Sequence, residues 1–291
     1  MFQGFEPLTL QANGVAIHLV RGGSGPPLLL LHGHPQTHAI WHKVAPALAE
    51  RYAVVAPDLR GYGDSGKPRG LPGHGNYAKR VMAQDLAEVM AALGHARFRV
   101  LAHDRGARVA HRLAVDHPDR VERLATLDIA PTLAMYEQTN LAFAKAYWHW
   151  FFLIQPHPFP ETLIAADPEL YLRHTMGSRS AGLAPFTPGA WAEYLRCLRD
   201  PGTIHGICED YRASAGIDLD HDREDLALGR RVACPMLALW GARGVVGQVV
   251  DPLAEWRRVA ENVDGRALDC GHYIPEEAPA ALLAEALPFL A

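Results

Sequence analysis

The stretch Phe98-Arg-Val-Leu-Ala-His-Asp-Arg-Gly-Ala-Arg108 decides the architecture. Phe98 to Ala102 reads as a strand buried on both faces, and Arg105 to Asp116 as a helix. Between them, Ala102-His103-Asp104-Arg105-Gly106 forms a turn with small residues at both ends. The serine counterpart of this turn, G-x-S-x-G, holds a nucleophile on a sharp strand-to-helix bend. Here Asp104 takes the serine position and Ala102 that of the first glycine. An aspartate before a helix is also an ordinary N-cap. The surrounding sequence selects between the two readings.

Upstream, Gly14 and the cluster Arg21 to Pro27 mark turns of a hairpin. Leu28 to Leu31 is a continuous apolar strand ending in His32-Gly33-His34-Pro35, followed by a helical stretch at Ile40 to Glu50. Tyr52 to Ala56 is a strand, and Tyr77 to Leu93 a helix marked by Val81, Leu86, Val89 and Leu93. Downstream, Val121 to Leu127 is a strand ending at Asp128. Strand and helix in alternation predict an α/β fold: a mostly parallel sheet flanked by helices on both faces.

The alternation then stops. From Pro131 to about Arg212 the chain is aromatic and punctuated by prolines, with no clear strand. This reads as a helical cap, 131–212, inserted after the sixth strand, with 1–130 and 213–291 as the core. The sheet resumes at Pro235 to Trp240. A helix at Pro252 to Glu261, a short strand at Arg266 to Leu268, and His272 follow.

Chemistry in such sheets gathers at the carboxyl ends of the strands. His32 to His34, Asp104, Asp128 and His272 all fall there, and this favours Asp104 as nucleophile over cap. A carboxylate attacking a carbon forms an ester on the enzyme, which water must cleave with the help of a base. His272 is the candidate base and Asp128 the candidate group orienting its imidazole. The order nucleophile, acid, histidine fits. The loop after Trp240 carries no carboxylate before Asp251, so Asp251 is the weaker choice of acid. The backbone N–H groups of His34 and Arg105 are expected to stabilise an oxyanion on the Asp104 carboxyl. His32, His34 and His38 form an alternative metal set, but no acidic or cysteine partners cluster with them, so no metal is expected.

A chain of 291 residues, 49% hydrophobic, can bury a large core. Net charge is −4, and no run of Lys and Arg forms a basic stripe, which argues against a nucleic-acid or membrane-surface binder. Cys197, Cys208, Cys234 and Cys270 form no C-x-x-C pair and read as reduced thiols. The N-terminus has neither the basic nor the apolar region of a signal peptide, so a cytoplasmic location is expected.

The sequence resembles the fluoroacetate/haloacetate dehalogenases of the α/β-hydrolase fold. The resemblance runs through His32-Gly-His-Pro-Gln-Thr37, Asp58-Leu-Arg-Gly-Tyr-Gly63, His103-Asp-Arg-Gly-Ala-Arg108, Leu127-Asp-Ile-Ala-Pro-Thr132, Trp148-His-Trp150, Cys208-Glu-Asp-Tyr211 and Gly271-His272. It implies that Arg105 and Arg108 grip a substrate carboxylate, and that His149, Trp150 and Tyr211 receive a departing halide. It also implies a small-molecule haloacid substrate, a homodimer and no cofactor. His34 departs from the apolar residue expected there, and Met176 to Ser180 is more polar than the corresponding segment. The rival with the same Asp–His chemistry is an epoxide hydrolase, in which Tyr211 would act with Tyr147 or Tyr171. A ligand-binding receptor on a degenerate hydrolase fold is the rival outside enzymes.

Overall fold

A computed structural model describes residues 1–179 and 181–291. The polar segment Met176 to Ser180 is therefore described only as far as Arg179, and Ser180 lies outside the described residues.

Eight strands form one sheet: β1 (Glu6–Ala12), β2 (Val15–Gly22), β3 (Pro27–Leu31), β4 (Ala53–Pro57), β5 (Phe98–His103), β6 (Val121–Leu127), β7 (Met236–Gly241) and β8 (Val263–Leu268). Their order is β1-β2-β4-β3-β5-β6-β7-β8. β1 and β2 pair antiparallel, as do β2 and β4, and every later pairing is parallel. Alternate side chains of a strand point to opposite faces. In β3, Leu28 and Leu30 join one core with Trp41, Val44 and Leu48, whereas Leu29 and Leu31 join the other with Leu86, Val109 and Leu113. Helices cover both faces, which is why the run Leu28 to Leu31 is apolar at every position.

A run of helices from Thr132–Glu137 to Ile217–Leu228 separates β6 from β7, with no strand between them among the described residues. The expected cap boundary at Arg212 falls inside the helix Pro201–Ser214. The next helix, Ile217–Leu228, is tied to the body. Asp218 accepts from the Lys79 backbone N–H at 2.8 Å, and Asp222 pairs with Arg112 at 3.0 Å. Among the described residues no helix is long and apolar enough to cross a membrane. All four cysteines are free.

A buried acid joins the cap to the sheet end. Glu276 Oε2 accepts from Gln36 Nε2 at 2.5 Å and from the Tyr194 hydroxyl of the cap helix Pro188–Leu198 at 3.2 Å. Its Oε1 accepts no hydrogen bond, with His42 Nδ1 3.8 Å away. Burial raises its pKa from 4.5 to about 8, outweighing the opposing pull of Tyr194, Lys43 and Gln36. The folded chain thus holds a proton that the unfolded chain releases at lower pH. The associated stability is fully present below pH 4.5 and is lost as pH rises through about 8. Glu276→Gln should remove this loss. Melting temperature followed across that window should fall for wild type by a few degrees more than for the variant. Parallel curves would show that the carboxyl is already ionised in the fold.

Candidate active site

Asp104 occupies the bend between β5 and the helix Arg105–Asp116, with φ 48° and ψ −117°. Its side chain makes no capping hydrogen bond to that helix, which separates it from an ordinary N-cap. A positive φ is costly for a residue with a Cβ and marks a position held by its surroundings. Those surroundings are two glycines. A Cβ on Gly106 would lie 2.3 Å from the His32 carbonyl oxygen, and one on Gly33 would lie 2.5 Å from Asp104 Oδ1. The tight turn therefore seats the helix N-terminus directly against the end of β3.

The Asp104 carboxyl is buried. The His34 N–H donates to its Oδ1 at 2.9 Å. Burial pushes the pKa up, but His272, His103, Arg105 and the His34 N–H prevail and hold it down at about 2. The group is ionised at neutral pH. Its second oxygen, Oδ2, stands 3.9 Å from His272 Nε2, too far for a hydrogen bond. The other imidazole nitrogen, Nδ1, is 2.5 Å from Asp128 Oδ2. Asp128, fully buried at the end of β6, also has a positive φ of 48°, and its Oδ1 accepts from the Gly241 N–H at 2.9 Å. A backbone donor on one oxygen and the imidazole on the other fix its orientation. Asp251, the weaker choice of acid, caps the helix Pro252–Val259 through the Ala254 N–H at 3.1 Å.

The two arginines differ in what they leave available. Arg105 gives its Nε and Nη2 to Asp210 of the cap helix Pro201–Ser214, at 2.9 and 2.7 Å, and Nη2 also reaches Ser214. Only its Nη1 has no partner. Its guanidinium lies 4.0 Å over the Tyr211 ring. Arg108, one helical turn from Asp104, donates from Nη1 to Thr132 Oγ1 at 2.7 Å. Its Nε and Nη2, the side-on fork of the guanidinium, are buried without partners. Burial and the neighbouring Arg105 lower its pKa, with Asp104 opposing. An unpaired buried guanidinium fork is costly unless an anion occupies it.

His149, Trp150 and Tyr211 come together over this floor. The Trp150 ring lies 6.3 Å from that of Tyr211 and 4.6 Å under the Arg108 guanidinium. Its indole N–H is buried without a partner. Burial carries the His149 imidazole well below its ordinary pKa, with Arg179 and His34 adding to the effect, so it is neutral. His34 stacks on His149 at 5.7 Å and receives or gives a hydrogen bond at Nε2 with the Tyr171 hydroxyl, 3.0 Å away. Burial lowers its pKa to about 3, so this departure adds a neutral polar ring and no charge at neutral pH.

The three histidines considered as metal ligands are engaged separately. His32 Nε2 accepts from the Leu59 N–H, His34 meets Tyr171, and His38 Nδ1 meets Asp58. Two other groups among the described residues have ligand atoms near one another: His18, His38 and Asp58, and His157, Glu161 and His205. Neither includes Asp104 or His272.

A family model described as alpha/beta hydrolase fold matches residues 26–279. The chain belongs to this family. Among curated relatives, this α/β hydrolase is similar to a fluoroacetate dehalogenase from Burkholderia sp., 46% identical over 96% of this chain and 91% of the relative. It is also similar to a soluble epoxide hydrolase from Corynebacterium sp. (strain C12), 39% identical over 96% and 95%. Among solved structures, an alpha/beta hydrolase from Nostoc sp. PCC 7120 matches with a TM-score of 0.96 and 54% identity, covering 100% of this chain and 99% of that one.

Sequence reasoning did not single out several groups of the hydrolase site. Asp210 and Ser214 hold Arg105, and Thr132 holds one end of Arg108. Asp210 and Thr132 lie within segments that carried the resemblance, so that signal was present. Tyr136, like Tyr147, places an unpartnered hydroxyl near the arginines, but nothing in its local sequence marks it.

Proposed function

We propose that this α/β hydrolase is a hydrolytic dehalogenase that converts small 2-haloacids, such as fluoroacetate or chloroacetate, to 2-hydroxyacids and halide. The observation that carries the reading is the unpartnered Arg108 fork beside an ionised Asp104. A carboxylate satisfies that fork and brings its own α-carbon to the nucleophile.

In this scheme Arg108 holds the carboxylate side-on and Arg105 adds its free Nη1. Asp104 Oδ2, the oxygen without the His34 N–H, attacks the α-carbon opposite the halogen. The C–O bond forms as the carbon–halogen bond breaks, and the halide leaves with the bonding pair toward Trp150, His149 and Tyr211. His272 Nε2 then takes a proton from water, and the resulting hydroxide adds to the Asp104 carboxyl carbon. The His34 and Arg105 N–H groups stabilise the oxyanion, as expected from the placement of the first on Oδ1. Asp128 keeps Nε2 free to act as base by accepting a hydrogen bond from Nδ1–H, which fixes the tautomer. On collapse the bond from the carboxyl carbon to the ester oxygen breaks, His272 returns its proton to that departing oxygen, the 2-hydroxyacid leaves, and the Asp104 carboxyl loses its remaining proton to restore the carboxylate. The substrate is thus a small molecule. The cap as 131–212, the homodimer and the cytoplasmic location belong to the same proposal.

Arg108→Lys tests the clamp, since lysine keeps the charge and loses the fork. For chloroacetate, kcat/KM should fall at least about tenfold, or about 1.4 kcal/mol. Chloroacetamide, lacking the carboxylate, should lose far less. Equal losses for the acid and the amide would assign Arg108 to structure alone. The likeness to the soluble epoxide hydrolase and the unpartnered Tyr147 hydroxyl favour epoxide hydrolysis as the second reading. Halide release from fluoro-, chloro- and bromoacetate, assayed beside an epoxide panel, decides between them. Turnover of neutral epoxides without halide release from any acid would replace the dehalogenase by the hydrolase.

A further inference from the structure

A cavity of about 370 Å3 opens between cap and core and reaches His272 from outside. The cap contributes Lys145, Trp148, His174 and Arg179, and the loop after β7 contributes Arg243. Among the described residues no aspartate or glutamate lines it. Arg243 is partly compensated, because it pairs with the exposed Asp269. Lys145, which is exposed, and Arg179 have no carboxylate partner among the described ion pairs. Arg179 is the innermost of the three. Its Nε is buried without a partner, its Nη1 makes one long contact of 3.5 Å with the Ala146 carbonyl, and its guanidinium lies 4.6 Å over the Tyr147 ring.

The geometry points to this cavity as an anion passage between solvent and the catalytic chamber, with Arg179 as its inner binding group for small carboxylates and halide. Three features support it. The cavity lining includes the general base proposed above, His272. Arg179 lines the opening and lies over the Tyr147 ring, which is 5.7 Å from that of His149 in the proposed halide pocket, and its charge is the foremost electrostatic influence lowering the His149 pKa. Its orphaned N–H is a donor that no protein group uses. A passage walled by like charges concentrates counter-ions and raises association rates, an effect that salt removes. The same field serves both directions: an anionic acid enters, and an anion is the leaving group. This assignment rests on the haloacid reading for the substrate, but the binding of anions by the passage does not.

Arg179→Gln tests it in two ways. At low ionic strength kcat/KM for chloroacetate should fall about tenfold, the gap should narrow as salt is raised, and chloroacetamide should change less than about twofold. The second readout needs no turnover. Trp148 lines the passage, so iodide should quench wild-type fluorescence more strongly than caesium does. Arg179→Gln should reduce the iodide component, and Trp148→Phe should remove it. A loss that is equal for acid and amide, or that is unchanged by salt, would overturn the passage role. So would iodide quenching that is indifferent to Arg179. Failure of wild type to release halide, with iodide quenching behaving as described, would overturn the dehalogenase reading and leave the anion passage standing.

Discussion

In His272→Ala, chloroacetate should leave one carboxymethyl group on the protein, esterified to Asp104, and steady-state turnover should fall by roughly three orders of magnitude or more. The two halves of the reaction make different demands. Alkylation needs an ionised carboxylate, and with His272 gone the Arg105 charge and the His34 N–H should still favour the ionised form of Asp104. Hydrolysis needs a base to take a proton from water, and no other imidazole nitrogen within the site is both oriented by a carboxylate and directed at Asp104. The variant should therefore release one halide per protein in a burst and then stop. Intact mass after mixing reads the adduct directly, and peptide mapping places it on Asp104. Normal product formation from protein of unaltered mass would remove His272 from the role of base.

How far the sequence carries depends on where the determining contacts lie. Strands buried on both faces advertise themselves, and Leu28 to Leu31 and Val121 to Leu127 are found where expected. β8 is an edge strand, half exposed, and carries Asp264, Gly265 and Arg266. Only its last three residues read as a strand, although pairing begins at Val263. The helix expected at Ile40 to Glu50 is instead a 3-10 turn, His38–Lys43, followed by Ala45–Ala49. Thr37 caps the first piece through the Ala39 N–H, and Pro46 stands in the first turn of the second, where a missing N–H is harmless. The final helix, Pro279–Leu290, buries Leu282, Ala286 and Leu290 at a four-residue spacing that Pro288 disguises.

The site follows the same logic. Asp104, Asp128 and His272 each follow a sheet strand, so topology alone brings them together. The roles of the arginines cannot be divided that way. Arg105 and Arg108 look alike in sequence, one turn apart. Only the arrival of Asp210 from the cap, which occupies the Arg105 fork, leaves Arg108 as the open one. Arg179 is legible in the chain only as polarity in an aromatic cap segment. Its position at the mouth depends on how the cap docks on the loop after β7.

Asp104→Asn should abolish halide release, lowering kcat by roughly a thousandfold or more, while tightening the grip on carboxylates. The amide oxygen is not a competent nucleophile toward a saturated carbon, and no neighbouring group can take its place on the strained turn. The fold should tolerate the change, because the side chain makes no capping bond and the amide oxygen can still accept from the His34 N–H. Electrostatics gives the second half of the expectation. Asp104 is an anion in a buried chamber that must receive another anion, and its charge is felt at Arg108. Removing that charge leaves the Arg108 fork with no compensation until a carboxylate enters, so acetate or glycolate should bind the variant several-fold more tightly than wild type. Calorimetric titration with glycolate measures this directly. Mass analysis of freshly purified protein excludes amide hydrolysis back to aspartate as the source of residual activity. Loss of both turnover and glycolate binding, in a variant with unchanged melting temperature, would mean that Asp104 itself holds the ligand, and the assignment of nucleophile and clamp to separate residues would have to be abandoned.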